Sequence, residues 1–255
     1  MAANYNPKIV TDGLILCLDA ANAKSYPGSG STWTDLSTSR NDGTLTNGPT
    51  YTAGANGYFT LDGTDDTITT NINITSTPAR SNWTYEVWTT MTSFPTAVSP
   101  ANGFGRTDRD GVLMGATYYS GAAIYWDGAS DGNSCSVFGY LRGNDGYRFT
   151  SPLFSMSLNT TYQFTYVNNY TANTILFYVN GALHGSAAAA TQEYNATNIV
   201  TAGNIGFAKP QVDGGGTANY SYYPGRIHAA KIYNRALSAF EVSQNYSALR
   251  GRYGV

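Results

Sequence analysis

Residues 161–187 read TYQFTYVNNYTANTILFYVNGALHGSA. Tyr162, Phe164 and Tyr166 alternate with Gln163 and Thr165, the period of a strand buried on one face. Residues 174–179, TILFYV, are all β-branched, aromatic or Leu, the types that suit a pleated surface. Asn180-Gly181 follows, and this pair supplies the two positive φ angles of a two-residue type I′ turn. The reading is two strands and a hairpin. Val179 stands opposite Ala182 and Phe177 opposite His184 on one face, with Tyr178 opposite Leu183 on the other.

Outward from the hairpin, the chain alternates short strand patterns with turn residues. Strands are expected at 13–18, 58–61, 67–72, 85–90, 111–115, 122–126 and 134–141. Asp127-Gly128, Asp131-Gly132 and Gly143-Asn144-Asp145-Gly146 punctuate them. Residues 19–37 and 91–109 read as long loops, and 41–51 as two turns around a short strand. This spacing is that of an antiparallel sandwich and not of βαβ units. Residues 1–8 lack periodicity, so 1–12 are expected to form an arm, free or docked on a neighbour, and 13–255 a single domain. One helix is expected near the end. Ser238 and Glu241 form a capping box, and Leu237 with Val242 its hydrophobic staple. Val242, Tyr246 and Leu249 share one face. Gly251 is expected to end the helix, with Arg250 and Arg252 at the negative end of its dipole.

A chain of 255 residues fits one large β domain. Charged residues make up 12% and the net charge is −2. That balance excludes the clustered Lys and Arg that phosphate backbones demand, and equally a polybasic membrane patch. The surface must be mostly Thr, Ser, Asn, Gly and Tyr, as suits work outside cells. Yet no signal peptide is expected, because the one early apolar run, residues 14–18, is short and follows Asp12. No stretch is long enough to span a membrane. Cys17 and Cys135 read as two buried thiols, since free Cys packs as a small hydrophobe; a disulfide between them is the alternative.

The inventory for chemistry is thin: His184, His228, Glu86, Glu193 and Glu241. Both histidines read as hydrogen-bonded or solvated strand residues. There is no G-x-S-x-G elbow, and Gly28-Ser29-Gly30-Ser31 lacks the Lys and helix of a phosphate loop. Aromatic clusters are the remaining signal. Tyr118, Tyr119, Trp126, Tyr220, Tyr222 and Tyr223 lie in or beside loops and are candidates for contact with a glycan or protein partner. Packing in a Tyr-rich core is the competing reading.

Four segments, in order, resemble the LamG-like jelly roll, the concanavalin-type two-sheet sandwich: YFTLDGTDDTI (58–68), WTYEVW (83–88), the 161–187 hairpin, and YPGRIHAAKIYNRALS (223–238). The resemblance implies an all-β fold of two antiparallel sheets with one short C-terminal helix. That fold also hosts glycosidases, which flank the bond with two carboxylates. Glu86 has no second carboxylate two or four residues away, so it is expected to be an exposed strand residue and the protein not an enzyme. Calcium is the family's usual ion, and Asp62, Asp65 and Asp66 are its candidate ligands; a turn bonding its own backbone is the alternative. His228 and Ala229 stand where relatives commonly carry acids. The opening, GLILCLDAANAKSYPGSGSTWTDLS…NDGTLTNGPTY, is similar to that of LamG-like virion proteins of tailed bacteriophages. It implies a virion surface protein, capsid decoration or a head or tail fibre component. Such a protein is made in the host cytoplasm and partnered by other virion proteins and by copies of itself. A carbohydrate-binding adhesin recognising host surface glycans is the alternative.

Overall fold

The computed structural model describes residues 7–73, 81–94, 109–115, 121–128, 134–142, 148–188, 204–210 and 222–255. Among the described residues, numbered along the chain, seventeen strands form two antiparallel sheets, followed by one helix. The first sheet runs β15 (Ala182–Ala188), β14 (Thr174–Val179), β13 (Thr161–Asn169), β7 (Trp83–Met91), β17 (Pro224–Tyr233), β5 (Tyr58–Asp62) and β4 (Thr50–Thr52). The second runs β11 (Arg148–Thr150), β10 (Cys135–Arg142), β9 (Gly121–Gly128), β8 (Arg109–Gly115), β16 (Asn204–Pro210), β6 (Thr67–Asn73), β3 (Gly43–Thr46) and β2 (Thr32–Trp33). Strand β12 (Phe154–Ser155) adds to β10, and β1 (Leu14–Asp19) pairs with the second half of β17, beyond the reach of β5. This is the expected all-β sandwich with one C-terminal helix, α1 (Ala239–Tyr253). No helix among the described residues is long and apolar enough to cross a membrane.

The inner faces follow the alternation. Tyr85, Val87 and Met91 of β7, Phe164 and Tyr166 of β13, and Ile227 and Ile232 of β17 meet Leu113, Ile124, Trp126, Val137, Ile205 and Phe207 of the facing sheet in one core. Each such side chain contributes roughly 1.5–3 kcal/mol by leaving water. The sheets approach so closely at Gly139 that a Cβ there would sit 2.7 Å from Cδ2 of Tyr166.

The hairpin forms as read. Asn180 and Gly181 have φ of 50° and 75°, and Val179 pairs with Ala182 and Tyr178 with Leu183. The next pair differs from expectation: Phe177 stands opposite Gly185, because a bulge inserts His184 as the extra residue. The helix begins on the capping box of Ser238 and Glu241, and Leu237 and Val242 share one buried cluster. It does not stop at Gly251. It runs on to Tyr253 and is capped by Gly254 at φ 71°, because Tyr253 has a buried place against Trp88 and Ala229. Tyr246 stacks on Trp88 at 5.8 Å, so α1 lies on the outer face of the first sheet.

The expected arm is part of the body from residue 8 onward. Val10 N–H donates to Asn245 Oδ1 (2.8 Å), Val10 C=O accepts from the Tyr233 hydroxyl (3.1 Å), and Lys8 C=O accepts from Gln244 Nε2 (2.7 Å). Lys8, Val10 and Asp12 are thus bonded to their own chain. Cys17 and Cys135 are both buried and not bridged. Burial pushes the Cys17 thiol up to about 11, where it is an unreactive hydrophobe.

Candidate functional site

The turn between β5 and β6 carries the one group of carboxylates among the described residues that converges in space. Asp62, Asp65 and Asp66 each bring a carboxylate oxygen within 4.8 Å of the others. The turn builds itself: Asp62 Oδ1 accepts from the backbone N–H of Thr64 at 2.7 Å and of Asp65 at 3.4 Å, and Gly63 takes φ 76°. Asp66 Oδ2 accepts from the N–H of Asp62 at 3.0 Å. Asn47 Nδ2 donates to the Asp65 carbonyl at 2.9 Å, pinning the turn to the loop after β3.

The electrostatics differ within the group. Backbone N–H groups, that of Thr64 foremost, hold the Asp62 carboxyl below the usual range. Asp66 is 5% exposed; burial pushes its carboxyl up, and the charges of Asp62 and Asp65 push it further. No Lys or Arg is among the influences on either. Three hard oxygen donors, with no ion-pair partner among the described residues, suit a hard cation such as calcium, which takes six to eight oxygens. Asp62 accepts from several groups of the turn, Asp66 commits Oδ2 to it, and the Asp65 carboxylate makes no hydrogen bond among the described residues. These three residues would hold calcium, which would tie the β5–β6 rim together. Calcium should raise the melting temperature, since a ligand of the native state alone stabilises it by mass action. A chelator should reverse the gain, and Asp65→Asn should abolish it. Thermal scans showing no shift with calcium would remove the ion from this rim.

The aromatic candidates divide. Trp126 and Tyr223 are fully buried; their rings meet edge to face at 6.3 Å, and the Tyr223 hydroxyl pairs with Thr89 Oγ1 at 2.9 Å inside the sandwich. Neither can touch a partner, and both are corrected to core residues. Tyr222, one residue before Tyr223, is half-buried at the surface. Tyr118, Tyr119 and Tyr220 lie outside the described residues.

Glu86 is a second correction. It is not an exposed strand residue but 0% exposed. Its Oε1 accepts from Lys231 Nζ and from Trp88 Nε1, and its Oε2 from Asn245 Nδ2 at 2.8 Å. Asn245 Nδ2 also reaches the Tyr233 hydroxyl at 2.9 Å, so one buried network joins β7, β17, α1 and the segment at Val10. Glu241 is equally committed. It closes the capping box and takes a bidentate bond from Arg235, which with that hydrogen bonding drives its carboxyl down to about 2. Glu193 lies outside the described residues. The histidines are as expected. His228, buried, pairs its Nε2 with Thr90 Oγ1 at 2.9 Å, and burial lowers it to about 4, so it is neutral. His184 is exposed, its Nε2 against the Leu153 carbonyl at 3.0 Å.

Solved structures share this architecture. The binding domain of botulinum neurotoxin serotype D superposes with a TM-score of 0.61 at 15% identity, covering 93% of this chain and 52% of that one. The botulinum neurotoxin DC binding domain in complex with rat synaptotagmin II gives 0.63 at 15%, covering 94% and 52%. A Trypanosoma rangeli sialidase in complex with 2,3-difluorosialic acid gives 0.61 at 15%, covering 94% and 34%. The chain spans about half the length of the toxin domains and a third of the sialidase. At these identities the likeness is one of fold. No curated protein matches the sequence. The sequence model of the concanavalin A-like lectin/glucanases superfamily matches residues 62–243, most of the chain, and the chain belongs to that superfamily.

Proposed function

We propose that this chain is a non-enzymatic binding domain exposed on the surface of a tailed phage particle, as capsid decoration or as part of a head or tail fibre. The observation that carries the non-enzymatic reading is the fate of the glutamates. Glu86 is sealed under α1 by Lys231 and Asn245, and Glu241 is held by Arg235 and the helix cap. Glycosidic chemistry needs one carboxylic acid and one carboxylate facing across a substrate. Neither residue can turn to face one. The acid cluster among the described residues, Asp62, Asp65 and Asp66, is a turn that bonds its own backbone. The phage reading is supported by the resemblance of the opening and closing segments and by the chain's low share of charged residues, 12%. Function resides in sites carried by a fold and not in the fold itself, so the particle itself must be tested. Mass spectrometry of purified particles should find the protein in many copies, and the purified protein should release no sugar from β-glucans or host polysaccharide. Absence from particles, or cleavage of a glycan, would contradict the proposal.

A second reading, a glycan-binding module, is supported by the sialidase relative, whose complex holds a sialic acid derivative. On that reading the half-buried Tyr222 and the Asp62 turn belong to the binding rim, with Tyr118, Tyr119 and Tyr220 as further candidates. A glycan array probed with the purified chain separates the two readings.

A further inference from the structure

Lys231, Glu86 and Asn245 are buried together between the first sheet and α1, at 2%, 0% and 0% exposure. One carboxylate joins the other two. Lys231 Nζ donates to Glu86 Oε1, and Asn245 Nδ2 donates to Glu86 Oε2 at 2.8 Å. The surroundings fix which way the amide is turned. The Val10 N–H can only donate, so it faces Asn245 Oδ1, at 2.8 Å. That directs Nδ2 to the carboxylate and to the Tyr233 hydroxyl, at 2.9 Å. A primary amine, a carboxamide, a proton carrier shared by the two and a backbone N–H on the amide oxygen are the parts of an acyl transfer.

We infer that Lys231 and Asn245 condense in the folded protein to an isopeptide bond, which joins β17 covalently to α1. Burial disfavours the charged forms of an acid and an amine alike. Transfer of one proton from Lys231 Nζ to Glu86 Oε1 leaves both neutral and gives the desolvated amine its lone pair. Nζ then attacks Asn245 Cγ. The charge that develops on Oδ1 meets the Val10 N–H, already aimed at it. The same carboxyl passes a second proton from Nζ to Nδ2, the Cγ–Nδ2 bond breaks, and ammonia leaves. The products are a secondary amide between Nζ and Cγ, one ammonia and a protonated Glu86. No oxidant, reductant or cofactor is consumed. Holding amine and amide on one carboxylate makes the step intramolecular, which removes much of its entropic barrier. Freshly folded protein holds the ion pair, and incubation converts it to the amide. The chain acts once on itself and turns over no substrate. The bond goes beyond the reading as a binding domain and does not depend on it.

Intact-mass spectrometry of the denatured chain is the test, repeated as the folded protein is incubated. The mass should fall below that of the sequence by one ammonia. Tryptic digestion should leave Lys231 uncut and join residues 227–235 to residues 236–250 through a branch between Lys231 and Asn245. Glu86→Gln keeps an amide oxygen near Nζ but carries no proton, and Asn245→Ala has no carbonyl to attack. Both should keep the full mass of their sequences. If either variant fails to fold, the wild-type mass and peptide map still decide. A wild type that keeps its full mass after incubation would overturn the inference. So would an ammonia loss carried by a single unbranched peptide, as a succinimide at Asn180-Gly181 would give. A branch that forms as fully in Glu86→Gln would overturn the proton-carrying role of Glu86.

Discussion

Replacing Lys231 with alanine should destabilise the protein by about 3–5 kcal/mol, the cost of stranding a buried charge. Its side chain is 3% exposed and that of its partner, Glu86, is 0% exposed. Once the ammonium is gone, the Glu86 carboxylate keeps only Trp88 Nε1 and Asn245 Nδ2 as donors, in a place water does not reach. The effect should spread. Asn245 also holds Val10 and meets Tyr233, so weakening its hold on Glu86 loosens the helix and the segment at Val10 together. The informative comparison is the double variant Lys231→Met with Glu86→Gln. It removes both charges while keeping most of the volume and leaving the new glutamine an amide oxygen to accept from Trp88 or Asn245, and should recover much of the loss, because no buried charge is left unpaired. Urea titrations of the three proteins check this. A Lys231→Ala midpoint equal to that of the wild type would mean that the ion pair is not buried as described.

The second large effect is expected at the hairpin. Gly181→Val should cost roughly 2–4 kcal/mol from two sources that act together. The backbone there has φ 75°, which a β-branched residue strongly resists. A Cβ would also lie 2.8 Å from Cβ of Tyr246, so the new side chain pushes against α1. Tyr246 in turn stacks on Trp88, and displacing it uncovers the outer face of the first sheet. Gly181→Ala meets the same backbone strain with less bulk and should lose less. Thermal melts of the two variants should fall in that order, and a neutral valine would mean that the turn does not hold positive φ.

What was legible in the sequence was local. Asn180-Gly181 set a turn because two adjacent residues had to adopt positive φ. Ser238 and Glu241 set a helix start because both halves of the box lie within one turn. The acid turn was legible for the same reason: Asp62, Asp65 and Asp66 are neighbours in the chain and remain so in space. What escaped was set by distant partners. Alternation correctly puts Glu86 on the outer face of β7, opposite to Tyr85 and Val87. It cannot show that a helix begun more than 150 residues later covers that face. Lys231, 145 residues away, was a hint available only through pairing of β7 with β17. Trp126 and Tyr223 sit beside turn residues, yet both point between the sheets; flanking glycines and turns do not reveal which way a strand end faces. The bulge at His184 shifts the register by one residue within a hairpin whose turn was read correctly. Gly251 looked like a helix end because glycine commonly is one, but the buried seat of Tyr253 carries the helix past it.

Display of this chain on a phage particle, as proposed above, is tested most directly by electron microscopy of intact particles labelled with antibody against it. Label is expected at repeated, symmetry-related positions on the capsid or along a fibre. Particles that remain unlabelled, while the same antibody detects the protein in the lysate that released them, would contradict it.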